Sequence, residues 1–262
     1  MRRLLLAVLL FAAAFRAGAS DYTDIWFNPS EQSTAGGGWG VNVVQTDAFM
    51  FLTFFIYGPD NKPTWYVAGL TQDANGNFNG PMYATTGTYF GAPWNPADGA
   101  GSAQVGTASF SPTDPYTAIL SYAFLAGPMV VKSIQRQSLT SIPLGGSYSG
   151  TQAGSYSNCN NSFAYTDRFR LGVSQPTAST LTLTFAYSDS GLSCTLSGTV
   201  EQRGQLFRIP TATYQCSDGL STTAAVSEIK ATNFGIEASI TAANNAGCRE
   251  DATLSAVFLP PI

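Results

Sequence analysis

The reactive side chains of this 262-residue chain are 16 carboxylates and four cysteines, and it contains no histidine. That absence excludes Ser-His-Asp hydrolysis, histidine-ligated zinc and imidazole acid–base catalysis. A phosphate-binding P-loop and a dinucleotide fingerprint are missing too, so no cofactor or metal is expected. Ser227-Glu228-Ile229-Lys230 has the S-x-x-K spacing, but that chemistry needs a helical turn, and residues three apart on a strand point to opposite faces. Thr223 to Lys230 reads as strand, with a short helix as the alternative. Paired carboxylates, as in glycoside hydrolysis, are the general acid–base device that remains. Asp47, Asp60, Asp73, Asp114, Asp189 and Asp218 sit at expected turns, where Asp serves the backbone. Asp167, Glu201, Glu228 and Glu237 lie in or at the ends of strands, unpaired by any spacing. Their plain reading is as solvent-facing partners of Arg168, Arg170 and Lys230. Asp73-Ala74-Asn75-Gly76-Asn77 imitates a calcium loop but has Phe78 at the glycine position and Ala84 at the last ligand, which leaves a turn.

Aromatic side chains are the other chemical resource. Trp39, Asn42, Tyr57, Trp65 and Trp94 could form a ligand-binding set, rings stacking on a glycan or a small apolar molecule while the amide bonds hydroxyls. The competing reading is that these rings simply fill a β-barrel core.

The elements that must position them are strands. From Gly37 to Gly69 apolar residues alternate, with turns marked by Asp47 and by Pro59-Asp60-Asn61-Lys62. Between Phe49 and Tyr57 both faces are apolar, which calls for cover on both sides. The polar stretch Ser30 to Gly36 reads as a lid, and Gly87 to Gly101 as a loop with an aromatic load of Tyr89, Phe90 and Trp94. Further strands at 104–110, 117–124 and 130–137 complete seven or eight, enough to close an up-and-down barrel and remove its edges. Residues 141–145 read as a linker, after which strands are expected at 163–173, 180–187, 192–201, 206–215, 223–232, 235–242 and 252–259. The fold class is all-β, two antiparallel meander barrels in tandem, like lipocalins and avidin only by analogy. The segments are 1–19 as a signal peptide, 20–140 and 146–262 as the two barrels.

The signal-peptide reading rests on basic Arg2 and Arg3, an apolar run from Leu4 to Phe15 and a small-residue cleavage site ending at Ala19. The run is too short to span a membrane, and the expected location is periplasmic or extracellular. Losing Arg2, Arg3 and Arg16 leaves nine basic against 16 acidic residues, a net charge of −7 that disfavours a nucleic-acid partner. All four cysteines lie in the second half, without the paired spacing of a zinc site. Three pairings are possible. Cys194 and Cys216 flank a hairpin turning at Gln202 to Gln205, which favours Cys194–Cys216 and leaves Cys159–Cys248.

The ordered motifs Trp26-Phe27-Asn28-Pro29, Gly38-Trp39-Gly40-Val41-Asn42, Thr53-Phe54-Phe55-Ile56-Tyr57 and Pro63-Thr64-Trp65-Tyr66 resemble a group of secreted, chiefly proteobacterial modules. The resemblance covers about residues 24 to 139, with Phe54 where Trp is usual and a longer loop at Ser30 to Gly36. It implies architecture and export and carries no activity. The leading expectation is a non-enzymatic secreted binding protein. The alternatives are an interaction module of the cell envelope, contacting another envelope protein, and a carboxylate-dependent glycoside hydrolase.

Overall fold

The computed structural model describes residues 20–32, 38–244 and 247–260. The expected signal peptide and most of the expected lid, 33–36, lie outside them. Strands β1 (Asp24–Phe27), β2 (Gly40–Thr46), β3 (Phe49–Tyr57), β4 (Pro63–Gln72), β5 (Phe78–Thr86), β6 (Gly101–Pro112), β7 (Thr117–Phe124) and β8 (Met129–Arg136) form an antiparallel meander, closed by pairing of β1 with β8. Eight strands enclose a space that side chains can just fill. Trp26, Val41, Val43, Met50, Leu52, Phe54, Phe78 and Phe110 fill it, each at most 1% exposed. Turn chemistry sets the register: the Asp73 carboxylate accepts the N–H groups of Asn75 and Asn77, both at 2.9 Å, which closes the β4–β5 hairpin.

The second half is a barrel of the same kind. Its strands are β9 (Gly146–Ser157), β10 (Phe163–Thr177), β11 (Thr180–Tyr187), β12 (Ser193–Thr199), β13 (Glu201–Arg203), β14 (Leu206–Cys216), β15 (Ser221–Ala231), β16 (Gly235–Ala243) and β17 (Arg249–Leu259). Pairing of β9 with β17 and of β12 with β14 closes eight of them, and short β13 forms a hairpin on the start of β14. Both expected disulfides are present, Cys194–Cys216 between residues directly opposite on β12 and β14, and Cys159–Cys248 between two loops at the same end. The helical alternative for Thr223 to Lys230 gives way to strand β15, bulged between Ser227 and Lys230, with Glu228 at φ 50°.

One expectation is corrected. The outer face of β3 is not covered among the described residues: Phe49, Phe51, Phe55 and Tyr57 are 40–58% exposed, while Met50, Leu52 and Phe54 are buried. A barrel strand has only one inside, and cross-strand pairing, as of Phe55 with Trp65, gives the outer rings partial shelter. Between β8 and β9, Leu144 is fully buried in the second core and its N–H donates to Gln175 at 3.1 Å.

The barrels meet at a polar junction. Arg136 is 2% exposed, lies 5.0 Å over the Trp26 ring, and bonds Asp24 at 3.1 Å and the carbonyls of Asp21, Thr23 and Pro115. Asp24 in turn accepts the Gln205 N–H of the β13–β14 turn at 3.0 Å. Gly204 in that turn has φ 63°, and a Cβ there would stand 2.1 Å from the Asp24 carboxylate. Tyr116, from the β6–β7 turn, accepts the Glu228 N–H at 2.7 Å and donates to the Phe207 carbonyl at 3.3 Å. The bulge of β15 thus supplies the donor that fits the first barrel. No described helix is long and apolar enough to cross a membrane.

Candidate functional site

The end of the second barrel away from the junction contains a cavity of about 410 Å³. Strand register builds it. Tyr156 on β9 stands opposite both Phe163 on β10 and Glu250 on β17, and Gly154 stands opposite both Tyr165 and Ala252. A Cβ on Gly154 would lie 2.8 Å from the Tyr165 hydroxyl, so glycine makes the room in which that ring crosses toward Glu250. Tyr187 on β11 and Tyr214 on β14 add two more rings, and the Cys194–Cys216 disulfide forms part of the wall.

A relay of hydrogen bonds runs through this end. Tyr187 donates to Gln152 Oε1 at 2.7 Å, Gln152 Nε2 donates to the Tyr165 oxygen at 2.6 Å, and Tyr165 donates to Glu250 Oε1. Glu250 is 4% exposed, and burial pushes its carboxyl above the ordinary value despite bonds from Tyr165 and Tyr156. Burial also raises the phenols, Tyr156 to about 12, with the Glu250 charge adding to the effect. Tyr165, Tyr187 and Tyr214 rise as well, first through burial, so these hydroxyls stay protonated as donors. At the rim, Asp167 accepts the N–H groups of Asp189 and Ser190 at 2.9 and 3.1 Å. Hydrogen bonding from Arg168 lowers the Asp189 carboxyl to about 2.

Of the four strand carboxylates singled out by sequence, Asp167 lines this cavity and Glu201 is paired with Arg208 at 2.8 Å. Glu228 and Glu237 border a shallow cleft beside the junction, together with Lys230. Asn42, Tyr57 and Trp65 share the outer face of β2–β4, where Tyr57 is 51% and Trp65 52% exposed. Trp39 is half-buried elsewhere, donating to Glu31 at 2.6 Å with Lys132 over its ring, and Trp94 sits exposed on the β5–β6 loop. The structure therefore brings three of the five onto one outer surface and leaves Trp39 and Trp94 apart from them.

Sequence reasoning missed Glu250, Gln152 and the tyrosines. One signal was available: Glu250, Ala252, Leu254 and Ala256 share a parity on β17, and three small or apolar partners mark that face as inward.

No family model matches the sequence, and no curated protein matches it. Among solved structures it is similar to transferrin-binding protein B of Haemophilus parasuis, at 11% identity and a TM-score of 0.33 over 86% of this chain and 54% of that one. The chain thus spans about half the length of that protein. It is also similar to transferrin-binding protein B of Neisseria meningitidis, at 11% identity and a TM-score of 0.34 over 88% and 68% of the two chains. A putative outer membrane protein of Bacteroides fragilis gives 11% and 0.33 over 89% and 95%. Likeness at these values says nothing of function.

Proposed function

We propose that this is an exported, non-enzymatic binding protein that holds a small ligand in the disulfide-framed end of its second barrel. The observation that carries the reading is Glu250, a buried carboxylate kept at the floor of an aromatic cavity by a relay of neutral donors. Burying an ionisable group costs stability, so such a group in a cleft is a sign of function. Two disulfides suit an oxidising compartment. Binding is favoured over hydrolysis because Asp167, the other buried acid of the cavity, has both oxygens taken by backbone N–H groups of a turn, while Asp189 and Asp218 lie exposed at the rim, Asp189 paired with Arg168.

The test is a fragment screen read by the ring signals of Tyr165 and Tyr187, with thermal shift alongside. Fragments should perturb these rings and raise the melting temperature, and Ser190→Trp at the exposed rim should abolish both effects. A folded protein in which no fragment moves these rings, or whose hits survive Ser190→Trp unchanged, would sink the reading.

A second reading rests on the outer face of β2–β4, where Phe55 and Trp65 are paired and each more than half exposed. Exposed rings of this kind stack on sugars. An oligosaccharide should then quench tryptophan emission, and Trp65→Ala should remove the quenching while the fold survives. Emission unchanged across a broad oligosaccharide panel would reject this reading.

A further inference from the structure

We infer that the ligand of the second-barrel cavity is a small organic ammonium ion, held by Glu250 and the faces of the surrounding rings. This rests on the cavity being a ligand site. Its charge is one-sided: Asp167, Asp189, Asp218 and Glu250 line it, and neither lysine nor arginine does. The two arginines next in sequence to lining acids Asp167 and Glu250 are already engaged. Arg168 is paired with Asp189, and Arg249 with Asp251 at 2.6 and 2.7 Å. Glu250 Oε1 is bonded by the Tyr165 phenol and the Gln152 amide, neutral donors that do not cancel its charge. A buried carboxylate in that condition is completed by a positive charge brought in from outside.

The rings suit an ammonium group. Tyr156 lies 5.0 Å from Phe163 and 5.4 Å from Tyr165 between ring centroids, the latter pair stacked, so aromatic surface gathers beside the carboxylate. Cations are attracted to such faces, and alkylated ammonium groups, which shed water easily, most of all. A bare metal ion fits less well, because among the described residues no group of three or more acidic or cysteine side chains could hold one. The cavity, at about 410 Å³, has room for an ammonium group with a ring-sized body attached.

The decisive comparison is between benzyltrimethylammonium and its uncharged carbon isostere neopentylbenzene, titrated at neutral pH and followed by the Tyr165 and Tyr187 ring signals. Wild type should bind the cation about tenfold or more tightly than the isostere. Glu250→Gln, which keeps the side-chain shape, should level the two. Asp218→Asn at the rim should weaken the cation several-fold, leave the isostere unchanged, and serve if Glu250→Gln folds poorly. Equal affinity for both probes, or a preference that survives Glu250→Gln, would overturn the charge assignment and leave the cavity standing as a site for neutral ligands. If neither probe moves the rings the assignment also fails, and the neutral and anionic members of the fragment screen decide whether the cavity binds anything.

Discussion

Replacing Arg136 with Met would keep an apolar stem over Trp26 and remove the guanidinium. The loss falls on several groups together. Asp24, 6% exposed, would keep only the N–H groups of Ile25 and Gln205, at 2.8 and 3.0 Å, against a buried negative charge. The carbonyls of Asp21, Thr23 and Pro115 would lose their donor. Breaking a buried pair from one side costs about 3–5 kcal/mol. Asp24→Asn, which removes the charge but keeps an acceptor, should cost less, about 1–3 kcal/mol. If the two groups act as a pair, the double variant should be more stable than the summed single effects imply, by roughly 1–3 kcal/mol. Urea titration can follow this barrel by barrel, because all four tryptophans, Trp26, Trp39, Trp65 and Trp94, belong to the first half, and the assigned ring signals of Tyr165 and Tyr187 give the tyrosine transition of the second. In Arg136→Met the tryptophan transition should move to lower urea and separate from the tyrosine transition, since Asp24 also binds Gln205 of the second barrel. Additive costs, with coupling below about 0.5 kcal/mol, would refute the pairing. Coincident transitions in the variant would refute the claim that it couples the barrels.

Three further outcomes follow from the same geometry. Gly204→Ala should loosen the junction while sparing both cores, because its Cβ would collide with the Asp24 carboxylate; unchanged coincidence of the two urea transitions would count against this. The raised carboxyl of Glu250 means the folded state holds that proton more tightly than the unfolded chain, so its stability contribution is full below about pH 4 and is lost as pH rises through the folded value. Glu250→Gln should therefore match wild type near pH 4 and exceed it at pH 7 in melting temperature, and the opposite order would show the carboxylate to be well satisfied. Removing Cys159–Cys248, which spans 89 residues, should cost about 4.6 kcal/mol on loop-entropy grounds, against about 3.4 kcal/mol for the 22-residue Cys194–Cys216 link, measured by urea unfolding of the paired alanine variants. The reverse order would point to native-state contacts at the cavity wall.

The strands were largely legible because alternation and Asp, Asn, Gly and Pro turns agree along the chain. Strand β11, expected and found at 180–187, has apolar residues at every second position between two turns. The Cys194–Cys216 link was legible because a hairpin makes residues equidistant from its turn face each other. The site was not, for a reason of geometry. Aromatic density drew attention to β3, but a barrel strand sends alternate side chains inside and outside, so density along one strand does not make a cavity. The tyrosines at 156, 165 and 187 stand singly on the neighbouring strands β9, β10 and β11, and only the closures of β9 on β17 and β12 on β14 bring Glu250 and Tyr214 to them. Those closures depend on contacts between residues far apart in sequence. Gly154 was equally silent, because its need for empty space comes from a hydroxyl on the neighbouring strand.

Strand β14 begins beside the junction and ends at the cavity. Its 11 residues hold the two about 35 Å apart at the usual rise per residue. The second barrel is therefore mounted by its base, with its mouth pointing away from the mount. Tethering the protein to a bead or electrode through the first barrel would leave the mouth facing open solution, so an immobilised sample should titrate with the same midpoint as a free one.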